Sequence, residues 1–297
     1  MYVYVIQVLY DLEFGKGRYK VSLKKIIRRF VDNYIENFIK EIRYEIADEV
    51  RNLPVPKIMS VDETLDVLVN EKKSICRFGD GELSIVNGKG IPFQIFDEKL
   101  QKRLIEILQS SNDEVLIGLP RIAFYSKENT TDENKVFWRK KGEHFRNITL
   151  PWVDMNKQYY PTEVTLAYSY YINYDMEKYF AKFRKIWEGR DVVIITGKTV
   201  FDKITHNIFD NARSVEYIYG PSMNAFSEYD DILNKALEID KNKIVISILG
   251  PTAKPLSYDL ALKGYQALDL GHIAKSYDLY KKGISTNAKN VNFYRPD

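Results

Sequence analysis

The sequence predicts an α/β fold: a mainly parallel sheet with helices on both faces, preceded by an amphipathic helical extension. Two observations predict the sheet. Apolar runs of strand length alternate with helix-like segments through the last third of the chain, which is the pattern of helices laid over a parallel sheet. The runs are apolar at successive positions, as in Val192-Val193-Ile194-Ile195 and Ile244-Val245-Ile246, and strands buried on both faces read that way. A third observation points to the ligand side. Most of these runs stop at a glycine followed by a polar or small residue, which places loops at the carboxyl ends, where ligands bind in such sheets.

The elements follow in order. Residues 1–56 form a separate extension. Lys16, Arg18, Lys20, Lys24, Lys25, Arg28 and Arg29 are basic with no acid between them. Phe30, Tyr34, Phe38, Ile42 and Ile46 then recur at spacings near four, the signature of an amphipathic helix. Pro54 and Pro56 end it. Such a face packs on the main domain or on a second subunit, giving a homo-oligomer. Its basic character alternatively suits peripheral contact with an anionic membrane through residues 16–50. Residues 57–297 form the main domain. Ser60 with Glu63 reads as a capping box opening a helix to Asn70. Ser74 to Phe78 is a strand entering a glycine-rich turn, and Asp97 caps a helix from Lys99 to Leu108. Val115 to Gly118 is a short strand and Asp132 to Arg146 a helix, while residues 162–174 fit strand or helix equally. Strands follow at Asp191–Gly197, Val215–Gly220, Lys243–Gly250 and Tyr265–Gly271, with helices at Glu228–Ile239 and Leu256–Lys263.

Composition narrows the function. With 44 basic and 41 acidic residues among 297, the net charge of +3 lacks the basic bias of a nucleic-acid binder. The single cysteine, Cys76, excludes an intrachain disulfide, fits a reducing cytosol and reads as a small core residue. The apolar start, Met1 to Tyr10, stops at Asp11, too short for a membrane span and without a secretory cleavage pattern. A cytoplasmic protein, touching the inner face of the membrane through its basic helix, is the expectation.

Three places carry chemistry. In Arg77-Phe78-Gly79-Asp80-Gly81-Glu82, the two acids stand two apart, so in extended chain both carboxylates point the same way. Gly79 and Gly81 allow positive φ and close ligand approach. Paired carboxylates suit a hard divalent cation, Mn²⁺ or Mg²⁺, and Arg77 offers a fork for phosphate. A polar turn, with Asp80 capping a short helix from Glu82 to Asn87, is the plainer reading of the same residues. The segment Leu249-Gly250-Pro251-Thr252-Ala253-Lys254-Pro255 turns from a buried strand into a helix and so presents backbone N–H groups to an anion, with Thr252 and Lys254 adding a hydroxyl and a charge. His272, after Asp269-Leu270-Gly271, is placed to bind a metal or a phosphate, or to serve structure alone. Zinc-ligand spacing, a nucleophile elbow and a Walker loop are all absent from the sequence.

Together these segments resemble the GT-D type glycosyltransferases. The resemblance runs from about residue 60 to 280. It rests on the Arg77–Glu82 segment, Gln94, Pro221-Ser222-Met223-Asn224-Ala225-Phe226, the Leu249–Leu256 segment and Gly264–His272. It implies a Rossmann-like fold and a UDP-sugar donor. Asp80 and Glu82 would then be the catalytic, metal-binding pair, with His272 completing the shell. Arg77, Phe78, Gly79, Gly81, Gly250, Pro251, Thr252 and Lys254 would hold the donor. The family carries an arginine after the glycine of the Ile195-Thr196-Gly197 strand end, where this chain has Lys198, a point charge in place of a fork. The implied activity is transfer of a sugar to a glycan or glycoprotein acceptor in bacterial surface glycan synthesis. A non-catalytic nucleotide- or glycan-binding subunit of a glycosylation complex is the rival expectation.

Overall fold

The computed structural model describes residues 28, 30–36, 38, 39, 42, 54–127, 129–287 and 293. Contacts divide the chain into units 1–53 and 54–297. In the first unit every described residue is helical and exposed, including Phe30, Tyr34, Phe38 and Ile42 of the expected apolar stripe. Ile46 and the basic residues from Lys16 to Lys25, with Arg29, lie outside the described residues. No helix among the described residues is long and apolar enough to cross a membrane.

Among the described residues the second unit holds eight strands: β1 (Lys57–Ile58), β2 (Ser74–Arg77), β3 (Val115–Leu119), β4 (Gln158–Pro161), β5 (Asp191–Gly197), β6 (Ser214–Gly220), β7 (Ile244–Ile248) and β8 (Gln266–Asp269). They form one sheet in the order β1-β4-β3-β2-β8-β7-β5-β6, and the ladders are parallel. The main helices of this unit, in order, are α1 (Val61–Asn70), α2 (Asp80–Val86), α3 (Glu98–Leu108), α4 (Asp132–Thr149), α5 (Ala167–Tyr170), α6 (Met176–Trp187), α7 (Tyr229–Leu237), α8 (Ala253–Leu262) and α9 (Ile273–Lys282).

Successive strand residues feed opposite layers, as the pleat requires. Ile75, Leu116, Ile194 and Leu268 join a cluster with α1, α6 and α9. On the other side, Cys76 and Ile117 pack with α2, α3 and α4, and Ile195, Val245 and Ala267 pack with α7 and α8. Cys76 is a fully buried core residue, and burial pushes its thiol above the usual range.

Local signals explain the element starts. Ser60 accepts from the Glu63 N–H, and Glu63 reaches back to the Ser60 N–H at 2.8 Å, so the capping box forms. Asp97 caps α3 through the Leu100 N–H. The ambiguous 162–174 stretch resolves into a 3₁₀ turn, Thr162–Thr165, and α5. The strand there is β4, just upstream, too short for its alternation to register in the sequence.

The paths that leave β2 and β8, neighbours in the sheet, diverge. From β2 the chain turns into α2, packed on one face of the sheet, whereas from β8 it turns into α9, packed on the other. Such a switch point leaves a crevice beyond the carboxyl ends of its two strands.

Candidate functional site

A cavity of about 650 Å³ occupies this crevice. It is lined by residues at the carboxyl ends of β2, β5, β7 and β8, by the start of α2, by the loop before α3 and by the first turns of α4. All three sequence segments singled out for chemistry meet here: Arg77, Gly79, Asp80, Gly81 and Glu82; Gly250, Pro251 and Lys254; and His272.

The floor is a buried network of four charges. Arg77 is 5 % exposed and Asp269 1 %. The Arg77 N–H donates to Asp269 Oδ2 at 2.9 Å, and its Nη2 donates to Oδ1 at 3.0 Å. Nε donates to the Asp269 carbonyl at 2.7 Å, while Nη1 donates to the Thr162 carbonyl and to Thr165 Oγ1. Lys254, also buried, lies 3.3 Å from Asp269 Oδ2 and 2.7 Å from Glu82 Oε1, and donates to the Gly250 carbonyl at 3.1 Å. The alternation Arg77–Asp269–Lys254–Glu82 leaves no net charge, which is what allows four ionised groups to be buried together. Burial opposes ionisation of Asp269, but Arg77 and Lys254 outweigh it and hold its carboxyl below the usual range.

The acid pair departs from the expected geometry. Residues 80–86 are helical, with Gly79 as N-cap. Asp80 and Glu82 are therefore not on one face of an extended chain, since residues two apart on a helix diverge. A helix does start in this segment, as in the plainer reading, but its cap is Gly79 rather than Asp80 and it spans Asp80–Val86. The local reason is the Glu82 side chain, whose Oε2 accepts the Gly79 N–H at 2.9 Å and satisfies a free donor of the helix start. Both acids still reach the cavity. Asp80 keeps solvent access, yet desolvation by the cavity wall, helped by the Glu82 charge, raises its carboxyl above the usual value. Gly79 and Gly81 do not take positive φ. They are needed for room: a Cβ would stand 3.3 Å from Glu82 Oε2 at Gly79 and 3.2 Å from Ile91 at Gly81.

The remaining expected residues divide. Phe78 is fully buried in the core, its carbonyl accepting from Thr162 Oγ1, so its side chain does not reach the cavity. Thr252 is also buried, and its hydroxyl finds no partner among the described residues. Lys198 is exposed beside the lining residues Gly197 and Val200. His272 lines the cavity. Burial, then the nearby cations beginning with Arg77, hold its imidazole down to about 3, so it is neutral at pH 7. Among the described residues no three His, Cys, Asp or Glu side chains gather into a set able to hold a metal. The protein alone thus does not close the expected Asp80–Glu82–His272 shell.

Other contributors carried no assigned role in the sequence. Asp269 lies within the Gly264–His272 segment, and its signal is an acid that ends a buried strand, which needs a cation. Gly250, at φ +53°, turns the chain after β7, and a Cβ there would stand 3.2 Å from the Phe93 ring. Phe93 is held in place by Asn224, whose N–H donates to the Phe93 carbonyl at 2.9 Å while its Oδ1 accepts from the Ile95 N–H at 2.8 Å. The Gln94 and Pro221–Phe226 segments are thereby joined at one edge of the cavity.

A parallel sheet with its cleft at the switch point, charged groups on the cleft floor and a glycine turn leading into a helix define a Rossmann-like α/β ligand-binding domain. The comparisons make this specific. Residues 75–293 match the family described as glycosyltransferase GT-D fold. The chain belongs to this family. It is 34 % identical over 244 residues to a probable glycosyl transferase Gly of Streptococcus gordonii, covering 78 % of this chain and 34 % of that protein. It is 33 % identical over 239 residues to the glycosyltransferase GlyD of Streptococcus pneumoniae serotype 4, covering 80 % and 29 %. The chain thus spans about a third of the length of these curated relatives. A solved structure of domain of unknown function 1792, described as having a distinct glycosyltransferase fold, superposes with a TM-score of 0.76 at 33 % identity, covering 88 % of this chain and 91 % of that one. A structure described as a new glycosyltransferase from Streptococcus sanguinis gives the same TM-score and identity, covering 82 % and 91 %.

Proposed function

We propose that this domain is a metal-dependent glycosyltransferase that takes a UDP-sugar donor and passes the sugar to a glycan or glycoprotein acceptor in bacterial surface glycan synthesis. The observation that carries the reading is the convergence of Asp80, Glu82, Gly250, Lys254 and His272 on one cavity at the switch point. Family membership supplies the reaction class.

The donor's diphosphate would lie against the Gly250 turn, where backbone N–H groups lead into α8. Lys254, already countered by Glu82 and Asp269, would shift part of its charge toward the phosphate. Arg77 acts mainly at one remove, because four of its five guanidinium N–H groups are engaged by Asp269, Thr162 and Thr165. It fixes the carboxylate that fixes Lys254.

The donor set at α2 fits Mn²⁺ or Mg²⁺. Both offered ligands are carboxylate oxygens, the type such cations prefer; the Asp80 carboxyl is raised first by desolvation and then by the Glu82 charge, and a bound cation would favour its ionised form. Asp80 and Glu82 would hold the ion, with the diphosphate, water and neutral His272 as further ligands. When bound, the ion offsets charge on the departing diphosphate.

Calorimetry with UDP, with and without Mn²⁺, tests the reading on the intact chain. Metal-enhanced UDP binding is expected. Asp80→Asn, at a solvent-accessible position, should remove that enhancement and lower donor hydrolysis at least tenfold with the fold intact. UDP binding indifferent to both the metal and Asp80 would point instead to a non-catalytic nucleotide-binding subunit.

A further inference from the structure

The cavity continues past the carboxylates onto α4, which the nucleotide reading leaves unused. Glu133, Asn134, Phe137 and Trp138 all line it. Their spacing, i, i+1, i+4 and i+5, places them on one face of the helix.

Trp138 is only 3 % exposed, yet its indole N–H finds no acceptor among the described residues. Buried donors are ordinarily paired, and this unsatisfied one belongs to a side chain that lines the cavity. Asn134 spends its Nδ2 on Thr131 Oγ1 at 2.8 Å and on the Ser169 carbonyl at 2.7 Å, which leaves its Oδ1 to accept. Phe137, 39 % exposed, packs edge-on against Trp138 with ring centroids 5.3 Å apart and offers an apolar wall. Glu133 is exposed and adds a carboxylate acceptor.

A donor, two acceptors and an aromatic wall on one face match a sugar ring, which has an apolar C–H face and hydroxyls around its edge. They do not match a phosphate. Glu133, with Asp80 and Glu82 on the same cavity, would repel an anion here.

We propose that the α4 face is a pyranose subsite in which the Trp138 indole N–H donates to a ring hydroxyl and Phe137 covers the C–H face. The proposal rests on the glycosyltransferase reading for its choice of ligand. The sugar comes either from the donor or from the terminal unit of the acceptor, and the test separates these sources.

The test uses the full chain labelled with ¹⁵N. It has three tryptophans, hence three indole N–H signals, and Trp138→Phe removes and so assigns one. The probes are UDP alone; UDP-glucose, UDP-galactose and UDP-N-acetylglucosamine; and the methyl glycosides of the same sugars with UDP and Mn²⁺ present. At least one sugar-bearing ligand should move the Trp138 signal saturably, and UDP alone should not. Response to a UDP-sugar assigns the donor's sugar; response to a methyl glycoside assigns the acceptor's. Glu133→Ala, at an exposed position, should weaken that sugar's apparent Kd about fivefold, the loss of one good hydrogen bond, with the other two indole signals unmoved. A Trp138 signal moved by UDP alone, or by none of the sugars, overturns the subsite. Failure of UDP to bind anywhere while a methyl glycoside still moves Trp138 would instead sink the nucleotide reading and leave the subsite standing.

Discussion

Removing the Asp269 carboxylate should cost more stability than any other single change at the cavity floor. Asp269 lies between two buried cations, 3.0 Å from Arg77 Nη2 and 3.3 Å from Lys254 Nζ, and also accepts the Arg77 backbone N–H at 2.9 Å. Asp269→Ala leaves Arg77 paired only to carbonyls and a hydroxyl, and leaves Lys254 with Glu82 alone. Stranding a buried charge in this way costs about 3–5 kcal/mol. For a domain of this size that is a fall in Tm of roughly 6–20 °C. Urea unfolding measures it as a lower midpoint at unchanged slope. Two controls sharpen the result. The double variant Asp269→Ala with Lys254→Met should lose less than the sum of the single losses, because the second change removes a charge the first had stranded. The cost should also shrink in acid. Asp269 has a depressed folded-state pKa, so its contribution is complete above about pH 4, the unfolded carboxylate value, and is lost as pH falls through the folded value. A loss below about 1 kcal/mol at pH 7, or strict additivity in the double variant, would refute the network as the structural floor of the site.

Two further predictions probe the surroundings. Gly271→Ala places a Cβ 2.4 Å from Arg77 Nη2 at a backbone φ of +42°; left-handed strain plus overpacking should cost about 2–4 kcal/mol by denaturant unfolding and loosen UDP binding together with it. Asp278, on α9, accepts from the N–H groups of Thr205 and His206 and pairs with Lys282 at 2.6 Å. Burial alone would raise its carboxyl, but these partners outweigh it and bring it down to about 2. Its contribution is therefore present above about pH 4 and lost toward pH 2, so Asp278→Asn should flatten the fall in Tm between those values.

The parts of the fold that were legible in the sequence are those whose signal is local. Ser60 with Glu63 and Asp97 announce helix starts through hydrogen bonds that span three residues. The apolar runs at β5 and β7 announce burial on both faces because every position is apolar. The two-residue β1 and four-residue β4 were missed because strands that short carry no period. The resemblance counts Phe78 among the donor contacts, but the pleat that continues from β2 turns its side chain into the core. The extended acid pair failed for a related reason: the reach of Glu82 back to the Gly79 N–H makes a helix of what glycine spacing suggests is a loop.

The sequence by itself determined the class of sheet, the chemistry-bearing segments and the glycine turn at residue 250, because hydrophobic pattern, backbone freedom and residue type are properties of short stretches of chain. Only the tertiary structure decided the rest. It set β2 beside β8 so that the chain leaves them toward opposite faces of the sheet, and it set Lys254 between two carboxylates that lie 172 and 15 residues from it along the chain. It also turned the start of α4 toward the same cavity. Those outcomes depend on which distant charges must be buried together and neutralise one another, and no stretch of sequence states that alone.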